Sequence, residues 1–220
     1  MINNKYLAEF IGTTILMLLG IGVNANTSLK NTIGGENSNW ILVSMAWGLS
    51  VFVAVFITGQ FSGAHLNPAV TVGLAMAGKF SWSLVPGYLI TQLAAAMFGS
   101  WLAYIVYIDH YRLTKDENAV RGSFCTGPAI RNYKNNFFSE TVATFILVFA
   151  IFYIVEPNLQ IEGEVVNFGL GALDALPVGT TKKYSSIIVS PMRRTFRSCN
   201  FSIFSFIFSC LFTSSFTSLF

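Results

Sequence analysis

The chain has 220 residues, 53% of them hydrophobic and only 10% charged, with a formal net charge of +3. Soluble domains carry about 25% charged residues, so the deficit argues for a polytopic membrane protein, and the small net charge gives no reason to expect a nucleic-acid partner. Cys125, Cys199 and Cys210 fall in no disulfide or metal spacing, and no phosphate loop or triad spacing is present, so no enzyme chemistry, metal or cofactor is expected.

In chain order, apolar stretches suited to spanning lie near residues 6–24, 40–59, 81–108, 137–156 and 165–179. The first, Tyr6 to Val23, contains Glu9 and has no small-residue cleavage site behind it, so it reads as a membrane helix and not a signal peptide. Trp40 to Gly59 carries no charge. Phe80 to Ile108 is also uncharged and exceeds the roughly 20 residues a span needs, which predicts a tilted helix or one that runs past the bilayer. Small residues recur every four positions at Ala8/Gly12, Gly59/Gly63 and Ala95/Gly99/Ala103, a spacing that lets membrane helices approach closely.

Between the second and third spans lies a polar-headed segment, residues 60–73. Asn67 is a good helix cap, and Pro68 suits the first helical position, where its missing N–H costs nothing. The small and β-branched run that follows ends near Gly78-Lys79 and is too short to cross a bilayer. A half helix at membrane depth is tolerated only where it lines a cavity or packs inside protein. Its N-terminus carries about half a positive charge, so the segment predicts a cation-repelling pore element.

The chain also repeats itself. Ala8-Glu9-Phe10-Ile11-Gly12-Thr13-Thr14-Ile15-Leu16 aligns with Ser139-Glu140-Thr141-Val142-Ala143-Thr144-Phe145-Ile146-Leu147. Three spans precede the second copy, so the two halves would be inverted, as in many channels and transporters. Buried carboxylates are costly, and Glu9 and Glu140 should have partners.

Ser62-Gly63-Ala64-His65-Leu66-Asn67-Pro68-Ala69-Val70-Thr71 is similar, residue for residue, to the first signature of the aquaporin and glycerol-facilitator family. Trp47, twenty positions before Asn67, resembles the tryptophan that glycerol facilitators place at the narrowest point of the pore. Phe124 to Ile130 resembles the outer loop of bacterial glycerol facilitators, and Gly171 to Gly179 the start of their fifth helix.

The resemblance implies an all-α membrane protein, an aquaporin-like inverted-repeat helical bundle with a re-entrant half helix and an incomplete second repeat. Residues 1–179 would form the channel domain, with a first repeat over about 6–108 and a partial second over 137–179. The implied function is passive transport of glycerol and similar small polyols, with water as co-permeant, by a homotetramer spanning a bacterial plasma membrane several times. The implied contacts are the Asn67 amide with Pro68 and Ala69, the carbonyls of Gly63, Ala64 and His65, and an apolar wall at Trp47. Glu9 and Glu140 would brace the pore loops. His65 is read as shaping the carbonyl stretch or as a hydrogen-bonded core histidine; Trp47 outside the pore would be an interfacial belt residue.

The pattern breaks after Gly179. Residues 180–220 contain no glycine or tryptophan, Phe and Ser dominate, and Lys182, Lys183, Arg193 and Arg194 interrupt what should be helix and second pore loop. Where the family has a second Asn-Pro-Ala followed by Arg, this chain has Ser190-Pro191-Met192-Arg193. The segment reads as a divergent tail, the product expected of a frameshift in the gene near codon 180, and so complete a loss of the second motif predicts negligible selective glycerol flux from this chain. Motif order places both termini in the cytoplasm, although Arg112, Lys115, Arg121, Arg131 and Lys134 would then lie outside, against the positive-inside tendency. Two other classes compete with a channel: a proton-coupled transporter with Glu9 and Glu140 as relay, and a non-conducting remnant.

Overall fold

The computed structural model describes residues 4–34, 40–125, 130–153, 159–161 and 164–166. Helix α1, Lys5–Ser28, starts at Asn4, whose side chain accepts from the Tyr6 N–H. It packs along both α2, Trp40–Ser62, and α4, Val85–Val106. Between α2 and α4 the chain turns back through the nine-residue α3, Pro68–Met76, and a 3-10 turn at Trp82–Leu84. Helix α7, Tyr133–Tyr153, carries the second copy of the repeated sequence, Ser139 to Leu147. Among the described residues, four helices are long and apolar enough to cross a membrane: Lys5–Ser28, Ile41–Ser62, Trp82–Val106 and Tyr133–Phe152. The bundle is thus helical with a re-entrant half helix, as expected.

Three features differ from the expectations. The overlong third stretch is one helix that breaks at Tyr107, followed by short helices α5, Ile108–Leu113, and α6, Glu117–Phe124, in what reads as a loop. Asp116 caps α6 through the Asn118 N–H. Glu164–Val166 is not the start of a span: it pairs antiparallel with Leu159–Ile161 in a two-stranded ribbon, β1 and β2, with Gln160 opposite Val165. The rest of the fifth apolar stretch, residues 167–179, and the divergent segment 180–220 lie outside the described residues.

Lipid cannot drive helices together by the hydrophobic effect, so close packing depends on small residues. Ala8 and Gly12 on α1 and Ala95, Gly99 and Ala103 on α4 are all buried, as their spacing predicts. A Cβ on Gly99 would stand 2.6 Å from the Thr14 carbonyl oxygen, so α4 touches the α1 backbone there. Gly59 and Gly63 serve otherwise: a Cβ on Gly59 would meet only Val55 of its own helix, and Gly63 ends α2 with φ +80°, donating its N–H to the Gly59 carbonyl. Gly99→Ala is therefore expected to destabilise the bundle by about 1–3 kcal/mol through overpacking. Gly122→Ala, where nothing lies within 4 Å, should be neutral or stabilising by up to about 1 kcal/mol. Thermal unfolding in detergent, giving equal midpoints for the two variants, would refute this seam.

The helices α5 and α6 fold over the end of α1. The Lys30 N–H donates to Thr114 Oγ1 at 3.0 Å, and Tyr111 packs with Ala25 and Leu29. Burial raises the Tyr111 hydroxyl above the ordinary tyrosine range, so it stays protonated while hydrogen-bonded to Ser123 Oγ at 2.8 Å.

Candidate functional site

The site grows from the end of α2. After Gly63 the backbone stays irregular to Asn67, with left-handed φ at Ala64 (+45°) and Leu66 (+51°). Such angles cost a non-glycine residue on the order of 1–3 kcal/mol each and persist only where the surroundings hold them. Glu9, wholly buried on α1, does the holding. Its Oε1 accepts from the His65 N–H at 2.8 Å and the Ser62 hydroxyl at 2.9 Å; its Oε2 accepts from the Leu66 N–H at 2.9 Å and Gln92 Nε2 at 2.9 Å. Four donors replace the water a buried carboxylate would lose, and no basic side chain among the described residues pairs with it.

At the loop's end Asn67 caps α3: its Oδ1 accepts from the Ala69 N–H at 2.8 Å. The amide orientation follows, because only the oxygen can accept that bond. Nδ2 therefore points away, and it has no protein partner among the described residues. Nor does anything among them donate to the carbonyls of Gly63, Ala64 and His65. Pro68 stands at the first helical position and Ala69 supplies the capped N–H. The site thus presents a row of acceptors followed by amide donors at a helix N-terminus, which carries partial positive charge.

Thr71 ties the cap to the clamp. Its Oγ1 donates to the Asn67 carbonyl and accepts from Gln92 Nε2 at 3.0 Å, so the His65 Nδ1 3.2 Å away is the protonated ring nitrogen. The His65 ring lies edge-on to Phe80, with centroids 4.5 Å apart, and beside Tyr88, whose hydroxyl donates to the Ser62 carbonyl at 2.9 Å. Gln92 and Tyr88 join the site without having been expected there, and Ser62 and Thr71, the two ends of the signature, gain a role. Gln92 carried a signal: it is the single amide side chain in an uncharged span, and buried polar groups within membranes are expensive.

Trp47 is 5% exposed on α2, and its indole N–H donates to Asn24 Oδ1 at 3.1 Å. It belongs to the same apolar cluster as Leu66, against which Ala64 also packs. Glu140 is half-buried on α7; the second pore loop that it was expected to brace, with Ser190 to Arg193, lies outside the described residues.

Comparison with known proteins sets this geometry among relatives. The sequence model of the family described as "Major intrinsic protein" matches residues 2–196. The chain is 47% identical over 146 residues to the "Probable glycerol uptake facilitator protein" of Thermotoga maritima, covering 66% of this chain and 62% of that protein. It thus spans less than two thirds of that relative's length. It is 44% identical over 185 residues to the "Glycerol uptake facilitator protein" of Streptococcus pneumoniae, covering 83% of this chain and 78% of that one. Among solved structures, the aquaglyceroporin from Plasmodium falciparum superposes with a TM-score of 0.66 at 25% identity, over 98% of this chain and 97% of that one.

Proposed function

Since the chain belongs to the major intrinsic protein family, we propose that it is a multi-pass membrane channel for passive passage of glycerol and similar small neutral solutes, with water as co-permeant. The observation that carries this reading is the junction at residues 63–67, where the carbonyls of Gly63, Ala64 and His65, without protein donors among the described residues, lead to the Asn67 Nδ2, without a protein acceptor among them. A hydroxyl needs both an acceptor and a donor when it leaves water, and this junction offers them in succession. The positive end of α3 disfavours cations at the same point. The chain's own residues bind and orient the solute; no bond is made or broken.

In this reading the Gly63, Ala64 and His65 carbonyls and the Asn67 amide line the path, with Pro68 and Ala69 fixing the start of α3. Glu9 braces the loop, Glu140 does the same for the second half, and Trp47 supplies an apolar wall for the carbon skeleton. The assembly is a homotetramer in a bacterial plasma membrane. The names of the facilitator relatives support glycerol as the solute. A proton relay through Glu9 is disfavoured, because both its oxygens are fully engaged in accepting four hydrogen bonds. The second reading, a non-conducting remnant, is favoured by the absence of a second Asn-Pro-Ala in residues 180–220.

Trp47→Phe tests the wall. It removes ring area and an N–H without adding charge, so the ratio of glycerol to water permeability should shift by about threefold or more. The ratio is read by stopped-flow light scattering of liposomes. An unchanged ratio at normal expression would place Trp47 outside the path.

A further inference from the structure

We propose that Asn24 is a specificity-determining residue that acts by positioning the Trp47 indole. The inference rests on the channel reading only for its effect on flux; the contact itself stands on geometry.

Trp47 lies against α1 in a slot with two parts. Gly20 forms the floor: a Cβ there would stand 2.4 Å from Cη2 and Cζ3 of the ring, so any side chain would displace the indole. Asn24, one turn further along the same face, closes the end, its Oδ1 3.1 Å from the indole nitrogen. Both Asn24 and Trp47 are buried, at 7% and 5% exposure. The indole has one polar atom, a donor that cannot accept. Inside an apolar span, an indole N–H without a fixed acceptor would turn toward any oxygen that came near. Asn24 takes up that donor, and the floor at Gly20 fixes the ring against the helix. With its polar end turned to α1, the ring offers apolar carbon in the channel reading, which suits the C–H skeleton of a polyol better than it suits water. The amide orientation is forced by the bond, since only Oδ1 can accept, and Nδ2 has no protein partner among the described residues.

The test uses the full 220-residue chain, read in two ways. The first is the nitrogen-15 resonance of the Trp47 indole N–H, and its exchange with deuterium, in detergent micelles. The second is the glycerol-to-water permeability ratio in liposomes. Asn24→Leu should move the resonance and speed exchange by roughly tenfold, the factor that about 1.4 kcal/mol of hydrogen bonding sets. Asn24→Asp, which keeps an acceptor, should leave exchange as slow as in the wild type. Asn24→Leu should also change the permeability ratio by about fivefold. In a Trp47→Phe background the same substitution should stay within about twofold, because the residue acts through the indole. Should Asn24→Leu fail to accumulate, Asn24→Ala carries the same expectations. An unmoved resonance in the Leu or Ala variant overturns the contact, and equal ratio changes with and without Trp47 overturn the positioning role. Absent glycerol flux from the unmutated chain would count against the channel reading, while the indole resonance still decides whether Asn24 holds Trp47.

Discussion

Glu9→Gln is expected to release the re-entrant loop, lowering the unfolding midpoint and cutting glycerol flux to background. The substitution keeps the volume and replaces one acceptor oxygen with a donor. Whichever way the amide turns, it meets two donors: Ser62 and His65 on one side, Leu66 and Gln92 on the other. On either side a backbone N–H, that of His65 or that of Leu66, loses its acceptor, at about 1–3 kcal/mol, while the Ser62 hydroxyl can turn to the Thr58 carbonyl. The loop cannot relax cheaply into another native form, since Ala64 and Leu66 already hold left-handed angles that those bonds support. Thermal unfolding in detergent reads the first effect, and proteolysis within residues 62–67 the exposed loop. Wild-type stability and flux in Glu9→Gln would show that the clamp is dispensable.

Asn67→Asp is expected to separate stability from conduction. Aspartate caps helices as well as asparagine does, and it favours the positive end of the half helix, so the unfolding midpoint should hold or rise. Conduction should suffer on two counts. The ionised carboxylate accepts but cannot donate, so the solute loses a bond worth on the order of tenfold in rate. The new charge also offsets the dipole at the start of α3, and cation leak should increase. Unchanged glycerol flux with no added ion leak would remove Asn67 from the path.

The half helix was legible because its determinants are local. Asn67, Pro68 and Gly63 each act on the backbone within a few residues, and the cap forms as their chemistry predicts. The α1–α4 seam was legible because small residues at a four-residue period must meet something, although the same period at Gly59 and Gly63 marks a helix end and no helix contact. The clamp was harder to read. Glu9 announces a buried charge, but its donors at Ser62, His65, Leu66 and Gln92 are 53 to 83 residues away, and only the fold brings them together. Asn24 was hidden for a similar reason, as one polar residue among several at the end of a span. Helices α5 and α6 were lost to polarity: Asp109 to Asn136 carries enough charge to read as loop, although Asp116 followed by Glu117 is a local start signal.

The most direct measurement is stopped-flow glycerol uptake into liposomes that carry this 220-residue chain, with and without a proton gradient. Against the negligible flux that the missing second motif alone predicts, the channel reading expects facilitated uptake above protein-free liposomes, indifferent to the gradient and reduced by Asn67→Asp. Uptake equal to that of protein-free liposomes, from protein shown to be folded and inserted, would contradict the channel reading and leave the non-conducting remnant in its place.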